Sequence, residues 1–329
     1  MFKHMDELGR KRIPFFFAIN FLKTEVIVVP LSDCPKDIRF KCDEYSVNTI
    51  IPKNVEIPNK TIKSMNPISL KDYKKAFNCV HEEMRAGNTY LLNLTFPTKI
   101  VINESFDQLY DGSNAKFKCV IRDRFLSFSP ERFIKMEGDK IYTYPMKGTS
   151  QVQDDPSGDL LIKSKKESTE HLMIVDLLRN DLNQVASNIT VQNFRFKEKI
   201  YTGTDWIWQT SSEIEGTLHN WQDQIGTILD KLLPAGSISG SPKSRTVDII
   251  KNIESDDRGF YTGVFGYYDG EKLDSGVLIR FIEKTKNGQY IYRSGGGITI
   301  QSDVNQEYQE LLDKIYIPTV KKYPLLQEG

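Results

Sequence analysis

The 329-residue chain has no apolar run approaching the roughly 18 residues that a membrane-spanning helix requires. Its longest early apolar stretch, Pro14 to Ile19, is also too short for the core of a secretory signal. Net charge is missing as well. The 44 Lys and Arg residues balance 44 Asp and Glu, so the basic excess of a general nucleic-acid binder is absent. The four cysteines, Cys34, Cys42, Cys79 and Cys119, show no CxxC spacing. Neither a zinc knuckle nor a disulfide framework is indicated, and free thiols suit a reducing compartment. His4, His81, His171 and His219 have no metal-ligand spacing, and only His171, beside Glu170, adjoins another candidate group. The other three read as surface histidines. Internal repeats and low-complexity segments are lacking. A cytoplasmic protein with no membrane and no nucleic-acid partner is expected.

What is present is ample chain for a sizeable core, with 39% hydrophobic and 27% charged residues. Residues 13–29 read as two strands around a turn. Residues 52–69 carry Pro52, Pro58 and Pro67 and read as an excursion between a short N-terminal part, residues 1–69, and the remainder, residues 70–320. Leu70, Tyr73, Phe77, Val80 and Met84 recur at helical spacing, with Gly87 as the stop. From Thr89 to Tyr144 five apolar runs separated by Gly, Asn, Asp and Pro read as strands. Ser150 to Ser164 reads as a polar surface loop, followed by a helix from Lys165 to Leu182. A further helix is expected over 221–233. Ser241-Pro242 reads as the N-cap and first turn of a helix ending near Ile253. Tyr261–Tyr268, Leu273–Glu283 and Gln289–Ser294 read as strands, and Asp303 as the cap of a last helix. Runs of strands with helices grouped between them predict a mainly antiparallel α+β fold.

Four constellations could carry chemistry. Glu167 and Glu170 lie three apart on one predicted helix, and Glu307 and Glu310 three apart on another, so each pair shares a helix face. Two such faces meeting would suit a hard divalent cation, although the same spacing is common on solvated helices. Gly295-Gly296-Gly297 follows a predicted strand and would offer backbone N–H groups to an anion, or simply form a bulge or turn. The segment Ala235 to Ser244 lacks the spacing of a nucleotide phosphate loop and reads as an anion-contacting turn. Lys147 ends a strand before a glycine; as a nucleophile it would have to be neutral, with its pKa drawn down from about 10.4. Arg179, Asn180 and Asp181, within an apolar helix, should need buried partners.

Taken together the segments resemble the chorismate-utilising enzymes. Ser129–Phe133 (SPERF), Pro145–Thr149 (PMKGT), Glu167–Leu182, Pro234–Ile250, Arg258–Tyr267, Leu278–Arg280, Ser294–Ile298 (SGGGI) and Glu307–Lys314 follow in family order. Lysine in the middle of PMKGT resembles the aminodeoxychorismate synthase branch, where anthranilate synthases typically have alanine; Ser237 points the same way. The resemblance implies two packed, mainly antiparallel β-sheets flanked by helices. It implies Mg²⁺ held by Glu170 and Glu310, with Glu167 and Glu307 completing the site. Gly295, Gly296, Gly297 and Lys314 would bind the ring carboxylate of chorismate. Arg280 and Tyr261 would grip the enolpyruvyl carboxylate, with Ser237 nearby. Lys147 would form a covalent adduct that ammonia displaces, with Glu131 as general acid or base.

Two departures accompany the resemblance. Gln209 stands where the family commonly has a histidine tied to elimination of the enolpyruvyl group, and Ser150 where arginine is frequent. The expected activity is therefore conversion of chorismate and ammonia to 4-amino-4-deoxychorismate, the ammonia coming from a separate glutamine amidotransferase subunit. An anthranilate synthase component and a silent chorismate-binding subunit are the rivals.

Overall fold

The strand Phe15–Ile19 is buried along its whole length, and its two faces serve different cores. Side chains alternate across a strand. Phe16 and Ala18 therefore meet Phe40, Phe117, Cys119 and Phe265 between two sheets, while Phe15, Phe17 and Ile19 face a helical layer. The computed structural model describes residues 1–48, 61–201 and 206–318. Each sheet has nine strands, and every pairing is antiparallel. In the first sheet the order runs Met146–Gln151, Trp206–Thr217, Lys140–Thr143, Arg132–Glu137, Leu273–Val277, Val264–Tyr268, Phe15–Ile19, Val26–Pro30, with Ser187–Tyr201 also paired to Trp206–Thr217. In the second it runs Gly240–Ser241, Leu91–Val101, Tyr290–Ile298, Phe281–Lys284, Phe125–Ser129, Phe117–Ile121, Ile38–Cys42, Tyr45–Val47, with Ser64–Asn66 on the edge of Leu91–Val101. The α+β reading of the sequence therefore holds. No helix among the described residues is long and apolar enough to cross a membrane.

Several local expectations are corrected. The apolar run Leu273–Glu283 is two strands, not one: Leu273–Val277 belongs to the first sheet and Phe281–Lys284 to the second. Leu278 still bonds to Thr262 and Gly263, whereas the Arg280 carbonyl accepts from Phe128 N–H at 3.1 Å. The expected loop over 150–164 is partly ordered structure. Its Asp155 is buried, accepting from Leu161 N–H at 3.0 Å and Ser150 Oγ at 3.3 Å. Ser241 is not an N-cap but lies in a two-residue strand, and the helix starts at Lys243. Arg179 and Asn180 are exposed; only Asp181 is buried, held by Lys243 Nζ at 2.7 Å and by Gly236 N–H. His81 is half-buried against the Phe77 ring and not a surface histidine. Of the expected excursion over 52–69, residues 52–60 lie outside the described residues, as do 319–320 at the end of the second expected segment. The remainder adds the Ser64–Asn66 edge strand and the Ser69 cap of the helix Leu70–Arg85.

One interaction escaped the sequence. Arg258 is 2% exposed and makes two bonds to Glu254, at 2.7 and 2.8 Å, and further bonds to the carbonyls of Asn93 and Ile238. Glu254 in turn accepts from Thr95 N–H at 2.9 Å. The pair thus ties the helix Lys243–Ile253 to the Leu91–Val101 strand beneath the Ser237 turn. Removing one partner strands a buried charge. Arg258→Met should lower unfolding stability by about 3–5 kcal/mol, the usual loss for half of a buried pair. Chemical denaturation checks this, and a loss below about 1 kcal/mol would show the pair to be marginal.

Candidate active site

A cavity of about 1200 Å³ opens where the two sheets and two helices converge. The helix Lys165–Leu182 is capped by Ser164, whose Oγ accepts from Glu167 N–H. It buries Ile174, Val175, Leu178 and Leu182 in the core, which leaves Glu167 and Glu170 on the cavity side. The helix Val304–Asp313 is capped by Asp303 and buries Leu311, turning Glu307 and Glu310 to the same cavity. The two ExxE pairs are therefore cavity groups and not solvated faces.

Lys147 reaches this space through a β-bulge. Met146 pairs with Ser211 but Thr149 pairs with Gln209, so one extra residue is accommodated between them. Bulges bend a strand and re-aim its side chains. Gly148 makes this one possible: its φ is +92°, and a Cβ there would lie 2.7 Å from Glu167 Oε2. The freed Lys147 carbonyl accepts from the Thr210 hydroxyl and from His171 Nδ1. The tautomer follows from the chain of bonds. The Lys147 carbonyl can only accept, so His171 Nδ1–H donates to it at 3.2 Å and neutral Nε2 accepts from the Ser212 hydroxyl at 2.7 Å, while Ser212 Oγ accepts from Arg195 N–H at 2.8 Å. Burial draws the His171 pKa below its ordinary value, which keeps the ring neutral. His171 is thus a buried prop beneath the bulge.

Lys147 Nζ lies 3.0 Å from Glu170 Oε2. Burial alone would lower its pKa, but Glu170, Glu310 and Glu307 outweigh burial and hold it above the ordinary lysine value. In this arrangement it is an ammonium, not the neutral amine that nucleophilic attack requires. Burial and the nearby Glu170 raise the pKa of Glu167, and burial raises that of Glu307. Lys314 Nζ bonds Glu310 Oε1 at 2.5 Å and the Gly295 carbonyl at 2.9 Å. Among the described residues no three His, Cys, Asp or Glu side chains converge as a bound metal ion would need. The lysines lie against the carboxylates instead. The donor set is nonetheless all oxygen, as a hard divalent cation takes.

The glycines are not a loop after a strand. They lie within Tyr290–Ile298, with Gly295 opposite Thr95, Gly296 opposite Leu94 and Gly297 opposite Asn93. The strand Phe281–Lys284 pairs only as far as Arg293, so the other edge of the glycine stretch is open. The Gly295 carbonyl reaches Lys314 there, and in an antiparallel strand the N–H of a residue points to the same side as its C=O. Gly295 and Gly297 thus offer two N–H groups to the cavity. A Cβ built at Gly296 would lie 3.4 Å from both Glu307 and Glu310, an ordinary contact that places these carboxylates against the glycine stretch.

The remaining expected residues share the cavity lining. Ser237 Oγ donates to Glu131 Oε1 at 2.6 Å, and burial raises the Glu131 pKa despite this bond. Tyr261 is buried and its phenol is pushed up to about 12 by burial. Arg280, at φ +50°, stacks on the Tyr316 ring at 5.3 Å and has no carboxylate partner among the described residues. Gln209 lines the cavity from the strand that pairs with the bulge. The fourteen residues expected to bind substrate or metal or to act in catalysis lie on or directly beside one cavity.

A family model described as chorismate binding enzyme matches residues 37–319. The chain belongs to the chorismate-binding enzyme family. It is 47% identical over 315 residues to an uncharacterised PabA-like protein of Pasteurella multocida, covering 95% of this chain and 96% of that one. It is 32% identical over 260 residues to aminodeoxychorismate synthase component 1 of Escherichia coli, covering 74% of this chain. It spans only 56% of that longer relative. The menaquinone-specific isochorismate synthase of Escherichia coli shares the fold, with a TM-score of 0.73 at 16% identity over 95% of this chain and 79% of that one.

Proposed function

We propose that the protein converts chorismate and ammonia to 4-amino-4-deoxychorismate. The observation that supports this reading most strongly is the placement of Lys147: an amine on a bulge, within the cavity, between two pairs of glutamates. Arg280 and Tyr261 would hold the enolpyruvyl carboxylate, a guanidinium fork being suited to that shape. The N–H groups of Gly295 and Gly297, with Lys314, would hold the ring carboxylate.

Glu170 and Glu310 would hold Mg²⁺, with Glu167 and Glu307 completing its surroundings. Bound there, the ion would neutralise the carboxylates that now keep Lys147 protonated and withdraw electron density from the ring as hydroxide leaves. Lys147, its ammonium proton given up to solvent, would bond through the neutral amine to ring C2 as the C4–O bond breaks. The hydroxide takes a proton from Glu131, whose raised pKa suits it to hold one, and departs as water. Ammonia bonds to C4, the C2–N bond breaks so that the lysine departs as an amine, and the C4 ammonium returns a proton to Glu131. Gln209 cannot transfer a proton near neutral pH, so the enolpyruvyl group is retained.

The source of ammonia follows from the thiols. Hydrolysis of glutamine needs an activated nucleophile, usually a cysteine thiolate. Among the described residues no cysteine lines the cavity. Cys42 and Cys119 are buried, with thiols pushed up by burial, and Cys79 is exposed on a helix. A separate amidotransferase subunit would supply ammonia from glutamine. The test is mass spectrometry of products after incubation with chorismate and Mg²⁺, with either ammonium or glutamine. Aminodeoxychorismate from ammonium alone supports the reading. Predominant anthranilate, or glutamate released from glutamine by the isolated chain, would overturn the corresponding part.

A further inference from the structure

Two buried polar side-chain atoms of cavity-lining residues have no partner. Ser294 is 3% exposed, and its Oγ has no hydrogen bond. The Nε of Arg280 is likewise buried and unpartnered. The register brings them together: Phe281 faces Arg293, so the next position along places Arg280 opposite Ser294, where the pairing ends. Both residues line the cavity. The surrounding groups are already engaged. Arg293 is paired with Glu283 at 2.8 Å, Tyr292 donates to the Tyr316 carbonyl at 2.8 Å, and Lys314 is bound to Glu310 and Gly295. An idle buried hydroxyl is costly in the free protein, and native structures carry few of them. A ligand that supplies the missing acceptor recovers that cost.

We infer that Ser294 is a substrate-binding residue whose hydroxyl joins the Arg280 guanidinium in holding the enolpyruvyl carboxylate. The inference rests on the cavity being a chorismate site. A carboxylate has acceptor capacity for both groups: one oxygen takes the guanidinium, and the other takes the hydroxyl in a charge-assisted bond. The hydroxyl makes no bond in the free protein, so Ser294→Ala should act in opposite directions on the two states. The free protein loses an unsatisfied polar group and should melt no lower than wild type, while the complex loses a bond to a charged group.

The experiment is titration calorimetry of chorismate, with Mg²⁺ present, into wild type, Ser294→Ala, Arg280→Gln and the double variant. Benzoate, which carries only a ring carboxylate, serves as the second probe. Ser294→Ala should weaken chorismate about tenfold, the scale of one hydrogen bond to a charge. The same change should matter less in the Arg280→Gln background, and benzoate affinity should not move. Unchanged chorismate affinity, equal weakening of benzoate, or a lowered melting temperature of free Ser294→Ala would overturn the inference alone. Wild-type protein that does not bind chorismate would overturn this inference and the proposed function together.

Discussion

Lys147→Ala should still bind chorismate while its turnover with ammonium falls about 10³-fold, the scale of losing a group that acts only in the transition state. The bulge that carries Lys147 is held by backbone and by neighbouring side chains: Thr210 and His171 bond the carbonyl of residue 147, and Gly148 supplies the positive φ. None of these needs the amine, so alanine should leave the loop in place. The ion pair with Glu170 is lost, and a carboxylate without its ammonium binds a cation more readily. Binding measured by calorimetry should therefore persist as turnover falls. Lys147→Arg makes a sharper control, because it keeps the charge near Glu170 but cannot present a neutral amine. Wild-type rates in the alanine variant would reduce Lys147 to a bulge residue.

Glu170→Gln and Glu310→Gln should each lower turnover by at least about 10²-fold, and added Mg²⁺ should restore little of it. The helices that carry these residues are held by core side chains on their other faces, so circular dichroism and melting should stay close to wild type. Glutamine keeps the size and loses the charge. Excess chelator should abolish wild-type activity, and full activity in its presence would rule out this use of the glutamates. Four carboxylates against Lys147 and Lys314 leave a surplus of negative charge toward a dianionic substrate. That surplus is the physical reason a divalent cation suits the site.

Legibility in the sequence followed the range of the interaction. The helix Lys165–Leu182 was readable because its cap, its apolar period and its end are all local. The strands of Phe15–Ile19 and Phe117–Ser129 were readable for the same reason. The glycine run was misplaced because three glycines look like a turn unless the partner strand Leu91–Val101 is known. Ser241-Pro242 carried the local signature of a helix start, but pairing of Gly240 and Ser241 with Leu92 and Leu91 claimed the serine for a strand. The Arg258–Glu254 pair and the Ser294–Arg280 juxtaposition join residues through contacts that no local pattern marks. The site residues themselves were legible mainly through eight ordered motifs; spacing alone left the glutamates and glycines undecided.

The crossing at residues 278–280 has a consequence for how the protein acquires its site. Leu278 is bonded to the first sheet and Arg280 to the second, with only Ile279 between. Lys147 lies on the first sheet, and Gly295 to Gly297 lie on the second. Neither sheet alone contains a binding pocket. A chain in which one sheet has formed and the other has not would show strand signal but no affinity for substrate. Recovered activity on refolding thus times the docking of the two layers, not the formation of either. By the same logic, a core substitution that lets the layers slide by an ångström would silence the enzyme without touching any residue of the site.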